Sequence, residues 1–198
     1  IFHNEKSIRF LKTHSAFVYK DGFKFTDAKH TLGVIYIVRD PRNIVSSFSH
    51  HFQKNIKQSL ENLLTPQYLG KGSVSHCTTW MGSWKYHYNS WKNFQKYNRY
   101  LIVKYEDLVS STEKTFINIL KFIARLNNVK FTINSKKLIK TLETTSFNKM
   151  QKLEKEENFD EAKIDTKTGE KIKFFNLGIK NDWKKFLDLE TKRKLEVE

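Results

Sequence analysis

The chain has 198 residues, 38% hydrophobic and 14% aromatic, enough for one sizeable core, and a single domain over residues 1–198 is the expectation. Its formal net charge is +15, and its one cysteine, Cys77, excludes an internal disulfide and suits a reducing compartment such as the cytoplasm. Two prolines and seven glycines exclude a repetitive or loop-dominated chain, and no apolar run is long enough for a membrane span.

Residues 8–13 (IRFLKT) read as a short strand. In an extended strand Lys12 and His14 face the same side, because side chains alternate with a period of two. The aromatics Phe17, Tyr19, Phe23 and Phe25 follow; packing of a strand or hairpin in the core is favoured over lining an apolar pocket. Val34 to Val38 (VIYIV) is a continuous β-branched and aromatic run without polar alternation. That pattern predicts a strand covered on both faces, as in a parallel sheet. Arg39 ends the run. Asp40 suits an N-cap and Pro41 the first helical position, so a helix over 41–53 starts at the C-terminal end of a central strand. Open α/β sheets collect ligands at that edge, and a helix start attracts anions. Arg39 offers a planar two-pronged donor. Ser47 lies about two helical turns past Asp40, on the same face as the helix start. From these residues alone the stretch is either a phosphate site or an ordinary ion pair beside a packing serine.

Residues 55–64 read as a second helix. Within 76–96, Trp80, Trp84, Tyr88 and Trp91 recur at helical spacing and predict one core-facing stripe. YLIVKYEDL (100–108) holds the next strand. Ser110 and Glu113 have capping-box spacing, ahead of the helical stripe Phe116, Ile119, Leu120 and Ile123. Residues 134–143 read as helix, 150–172 as a charged loop or lid, and the segments KNDWKKF and LETKRKLEVE as short helices. Alternating strands and helices give an α/β fold, a parallel β-sheet flanked by helices.

The lysines are scattered among acids and asparagines, so nucleic acid is not the expected partner; the same field favours an anionic small substrate. His50, His51, His76 and His87 lack cysteine or carboxylate partners at metal-ligand spacing, so no metal is expected.

Six segments come in a telling order: FLKTH (10–14), RDPRNIVSSFSHHF (39–52), GSWKYHYNSW (82–91), YEDL (105–108), TTSFNKM (144–150) and GIKNDWKKF (178–186). Together they resemble the sulfotransferases of the cytosolic and bacterial type that use 3′-phosphoadenosine 5′-phosphosulfate (PAPS), over nearly all of the chain. The resemblance implies a fold like that of the P-loop nucleotide kinases. It implies transfer of a sulfuryl group from PAPS to a hydroxyl or amine, leaving 3′-phosphoadenosine 5′-phosphate (PAP), with no metal. Small molecules, glycans and lipids are the acceptor classes it allows. By resemblance, Arg39 and Ser47 hold the 3′-phosphate. Tyr105, Thr145, Ser146 and Phe147, with Met150 close by, surround the adenine and ribose-phosphate, and Gly178 lies near the 3′-phosphate. His14 is the catalytic base, with Lys12 beside it. The chemistry suits these types: sulfuryl transfer resembles phosphoryl transfer, so the protein positions the partners and stabilises spread charge, and a histidine titrates near neutrality. Phe147 or Trp183 is the candidate apolar surface for the purine.

Two departures stand out. The first strand and the phosphosulfate loop of the family are missing, and no GxxxxGK[ST] occurs. The expectation is therefore an N-terminally truncated domain, lacking also its extreme C-terminus, that is inactive by itself. Asn176 and Leu177 also stand where many relatives carry an Arg-Lys pair before the glycine; Lys173 and Lys180 are the nearest cations. No dimerisation segment is recognisable after Trp183, so the oligomeric state stays open. Two other readings remain: a nucleotide-dependent phosphotransferase of related fold, and a noncatalytic basic module that binds polyanions.

Overall fold

The apolar run at 34–38 finds its partner in the next one. In the computed structural model, which describes residues 8–70, 77–157, 159, 162–165 and 167–197, β3 (Val34–Val38) pairs in parallel with β6 (Tyr100–Lys104). Val34 lies opposite Tyr100 and Val38 opposite Lys104, so both strands end at the same edge. The other strands described are short antiparallel pairs: β1 (Tyr19–Lys20) with β2 (Phe23–Lys24), β4 (Leu69–Gly70) with β5 (Thr79–Trp80), and β7 (Lys163–Ile164) with β8 (Lys171–Ile172). Coverage of the central strand is partial: Ile37 is 60% exposed. His76 and residues 71–75 lie outside the described residues.

No strand forms at 8–13. A strand needs a neighbour to take its ladder bonds, and among the described residues none lies alongside. Ser15 N–H instead donates to Thr13 Oγ1 at 3.0 Å, a local turn that competes with extended backbone. The alternation argument for Lys12 and His14 therefore lapses.

Helix α1 (Pro41–Phe52) starts as expected, with Asp40 accepting the Arg42 N–H and Pro41 in the first turn. Helix α2 (Ile56–Leu64) opens on a capping box between Asn55 and Gln58. These two helices form the core: Val45 from α1 packs with Leu60 and Leu63 from α2. Trp84, Leu187 and Leu195 close over that cluster.

Helix α3 (Trp84–Lys92) corrects the aromatic stripe. Ser83 caps it, and Gly82 just before has φ +66°, a conformation that keeps Trp80 off the helix and in β5. Trp84 stacks on Tyr88 with centroids 5.7 Å apart. Trp91 turns to a second packing centre with Phe17 at 5.4 Å and Phe94 at 6.0 Å. Phe25 reaches the same ring edge-on, whereas Tyr19 and Phe23 stay exposed on their hairpin. The core expectation thus holds for Phe17 and in part for Phe25.

Helix α4 (Tyr105–Ser110) follows β6 directly, and α5 (Thr112–Leu126) carries the predicted apolar stripe. The Ser110–Glu113 box does not form, because Ser110 is still helical in α4; Thr115 instead donates its hydroxyl to the Asp107 carbonyl at 3.1 Å. Helix α6 (Ser135–Thr144) is capped by Asn134. Helix α7 (Phe147–Glu156) corrects the reading of 150–172 as loop throughout. Phe147, Met150 and Leu153 are half-buried at a spacing of three, and Glu154 accepts the backbone N–H groups of Phe174 and Phe175. Helix α8 (Leu189–Val197) ends the described chain, and among the described residues no helix is long and apolar enough to cross a membrane.

Candidate functional site: an anion pocket at the end of the central strand

Arg39 and Tyr105 are the first residues beyond β3 and β6. In-register parallel pairing brings them to one edge, and the Arg39 guanidinium sits 4.2 Å from the Tyr105 ring centroid. The two helices leave the sheet from the same edge. Asp40 N–H donates to Glu106 Oε1 at 3.0 Å, so the acidic residue after Tyr105 ties the start of α1 to α4. Burial pushes the Asp40 carboxyl up, but the Arg42 side chain and backbone N–H outweigh it and hold it below the ordinary carboxylate value. The charged cap steadies the helix start beside Arg39.

The guanidinium is held on two sides. Nη2 donates to the Gly178 carbonyl at 3.0 Å, and Nη1 makes a long 3.5 Å bond to Ser47 Oγ. Nε is buried with no partner among the described residues. An unsatisfied buried donor on a cation costs folding free energy, and a bound anion would satisfy it. Gly178 is at φ +54°, and a Cβ there would lie 2.6 Å from Phe147 Cζ. A side chain at this position would displace the ring, so glycine lets Phe147 approach. Phe147 is thereby pressed against the loop whose carbonyl binds Arg39.

Five of the eight residues that the resemblance assigns to the nucleotide, Arg39, Ser47, Tyr105, Phe147 and Gly178, thus touch one another in a chain of contacts. Thr145 and Ser146 form the exposed corner between α6 and α7, just before Phe147; the Thr145 hydroxyl donates back to the Thr141 carbonyl at 2.7 Å. Met150 sits one turn into α7, with its N–H on the Ser146 carbonyl. Trp183 is engaged elsewhere: Arg42 lies 4.3 Å from its ring, which leaves Phe147 as the candidate purine surface. Among the described residues no cluster of three metal-ligating side chains occurs.

His14 and Lys12 are exposed. The His14 segment is bound to α3 by side chains. His87 Nε2 bonds the His14 carbonyl at 3.2 Å, Trp91 Nε1 donates to the Ser15 carbonyl at 2.9 Å, and Phe17 N–H donates to Ser90 Oγ at 2.9 Å. A carbonyl only accepts, so His87 carries its proton on Nε2, and Nδ1 accepts from the Tyr36 hydroxyl at 2.8 Å. Tyr36 lies in β3, three residues before Arg39. His87 and Arg39 line one cavity of about 160 Å³. In sequence His87 has no partner at metal-ligand spacing; its neighbours on β3 and before β1 lie 51 and 73 positions away, so spacing carries no signal for it.

Burial lowers the His87 pKa, and the nearby His14 charge adds to the effect. The unfolded chain takes up this proton below about pH 6.5, and the folded chain only at lower pH. Between the two the unfolded state binds more protons, so stability rises with pH; the contribution is complete above the unfolded pKa and is lost as the pH falls through the folded one. A His87→Gln variant keeps a donor but no titration. It should lose less stability than the native chain between about pH 7.5 and pH 5 in urea unfolding. Equal losses would show that His87 is not held neutral.

A parallel strand pair with helices leaving its C-terminal edge defines an α/β protein, and the arginine and serine gathered at that edge are the candidate for an anion site. The comparisons give the family. The sulfotransferase domain family matches residues 2–197, and the chain belongs to it. The chain is 28% identical over 157 residues to sulfotransferase 2A1 of Macaca fascicularis, covering 78% of this chain and 50% of that protein. It spans about half the length of the curated relatives it matches. Its fold is similar to that of mouse sulfotransferase SULT7A1 complexed with PAP, with a TM-score of 0.58 at 22% identity, covering 83% of this chain and 56% of that one. It is also similar to retinol dehydratase in complex with androsterone and inactive cofactor PAP, with a TM-score of 0.52 at 16% identity, over 83% and 45% of the two chains. The chain therefore has the sulfotransferase α/β fold.

Proposed function

We propose that this domain serves sulfuryl transfer from PAPS to a hydroxyl or amine acceptor, in the cytoplasm, with PAP as the leaving product. The observation that carries the reading is Arg39: a half-buried guanidinium whose buried Nε has no partner among the described residues, bracketed by Ser47, Tyr105 and the Gly178 carbonyl at the strand edge. A 3′-phosphate supplies the acceptor oxygens that Nε and the Ser47 hydroxyl lack. Tyr105 holds Arg39 in place by its ring, and Phe147 with Met150 offers the apolar side of a purine site. When PAPS is bound, the acceptor oxygen bonds to sulfur as the bridging bond to the nucleotide breaks. His14 takes the acceptor's proton, and Lys12, two residues before it in the chain, is the cation for the peripheral oxygens. His87, through the His14 carbonyl, holds the base-bearing segment against α3.

The acceptor is proposed only as a small molecule, glycan or lipid with a hydroxyl or amine. The 198 residues hold no lysine-serine/glycine-threonine-threonine run to cradle the 5′-phosphosulfate, so this chain by itself should turn over little or no PAPS.

A thermal-shift series tests the reading. At 100 times its Kd, PAP should stabilise the fold by about 2.7 kcal/mol. ATP, which has no 3′-phosphate, should give a clearly smaller shift. A larger shift with ATP would support the phosphotransferase, and a salt-steep shift with oligonucleotide and none with PAP would support the polyanion module.

A further inference from the structure

Asn181, on the loop after Gly178, is a buried polar side chain that the reading above does not use. It is 5% exposed, yet all its polar positions near α1 are bonded. Nδ2 donates to the Asn43 carbonyl at 2.9 Å and to Ser47 Oγ at 2.8 Å. Oδ1 accepts the Ser46 hydroxyl at 2.7 Å. The Asn43 carbonyl can only accept, which determines which end of the amide is nitrogen. Asn43 also closes the loop from its own side, with Oδ1 taking the Trp183 N–H at 2.9 Å.

The consequence falls on Ser47. A serine hydroxyl has two acceptor positions and one hydrogen. Asn181 Nδ2 at 2.8 Å and Arg39 Nη1 at 3.5 Å fill the acceptor positions. The hydrogen has no acceptor among the described residues. A helical serine ordinarily donates to the carbonyl four residues back, but here that carbonyl, Asn43 O, already receives Asn181 Nδ2 at 2.9 Å and the Ser46 hydroxyl at 3.2 Å, besides its helix bond.

We infer that Asn181 is a positioning residue that makes Ser47 an obligate donor and so sets selectivity for a 3′-phosphorylated nucleotide over one without that phosphate. The inference rests on the PAP reading above. It gives the pocket a neutral, buried means of strengthening anion recognition where Asn176 and Leu177 supply no charge.

The test compares PAP with adenosine 5′-monophosphate by calorimetry. The native chain should favour PAP. Asn181→Asp changes the donor at Ser47 into an acceptor. The carboxylate takes the Ser47 hydrogen and places a like charge beside the anion. PAP affinity should fall by about 30-fold or more, while adenosine 5′-monophosphate changes by less than about 2-fold. Asn181→Ala, which leaves Ser47 free to turn, should lower the preference by about 5-fold. In a Ser47→Ala background the same Asn181→Ala change should add nothing to the loss, because the two residues act through one bond. These variants serve where the aspartate does not fold. A native preference for PAP that neither Asn181 variant reduces overturns this inference and leaves the proposed function standing. No native preference for PAP overturns the proposed function itself.

Discussion

Arg39→Met should remove most of the stabilisation by PAP. The native guanidinium reaches Ser47 and the Gly178 carbonyl and keeps Nε for a ligand. Hydrogen bonds to charged groups contribute about 1.5–3 kcal/mol each. Loss of the Nε bond to phosphate weakens binding by about 1.5–3 kcal/mol, or roughly 10- to 100-fold in Kd, enough to remove most of the shift. Arg39→Lys should recover little of this, because an ammonium cannot donate in two parallel directions while lying flat on Tyr105. Without ligand the methionine variant should be close to native in stability. It gives up the bond to Gly178 but also removes a buried donor that has no partner. Calorimetric titration with PAP and urea unfolding without it separate the two effects. Native-like PAP affinity in the methionine variant would remove the basis for the site.

Phe94→Ala should be the most damaging single change to the fold. Phe94 is 1% exposed and is the largest fully buried side chain among the described residues. It meets Phe17 edge-on at 5.3 Å, Trp91 at 6.0 Å and Tyr97 at 5.5 Å. A buried phenylalanine cut to alanine costs about 3–5 kcal/mol, from lost transfer free energy and the cavity left behind. For a chain of this size that lowers Tm by on the order of 10 °C. The damage should spread toward function, because Phe17 anchors the segment that bears His14. Amide hydrogen exchange at Ser15 and Phe17 should rise in this variant more than at β3 or β6. A Tm within about 2 °C of native would show that the second packing centre contributes little.

Much of the architecture was legible because its causes are local. Val34 to Val38 is a strand on composition, and Asp40 and Pro41 start α1 on their backbone chemistry. Misreadings came where a neighbour decides. Residues 8–13 have strand composition but find no ladder partner among the described residues. Trp80 has helical spacing to Trp84, yet Gly82 breaks the helix between them. The charged stretch from 150 is helical to Glu156 because its three apolar residues and Glu154 find partners around Phe174 and Phe175.

For the site, the residue types and their order carried the reading of Arg39, Ser47, Tyr105, Phe147 and Gly178. Asn181 and His87 carried no comparable signal. Each acts through partners that lie 51 to 138 positions away in the chain, Asn181 at Asn43 and Ser47, His87 at Tyr36 and His14. The amino-acid sequence alone determined the family, the central strand and the start of α1, because those follow from residue order, propensity and capping. Tertiary structure alone decided what bonds the Ser47 oxygen, what flanks the two nitrogens of His87 and what lies against Gly178. Hydrogen-bond direction and close approach belong to pairs of groups, and only folding brings those pairs together.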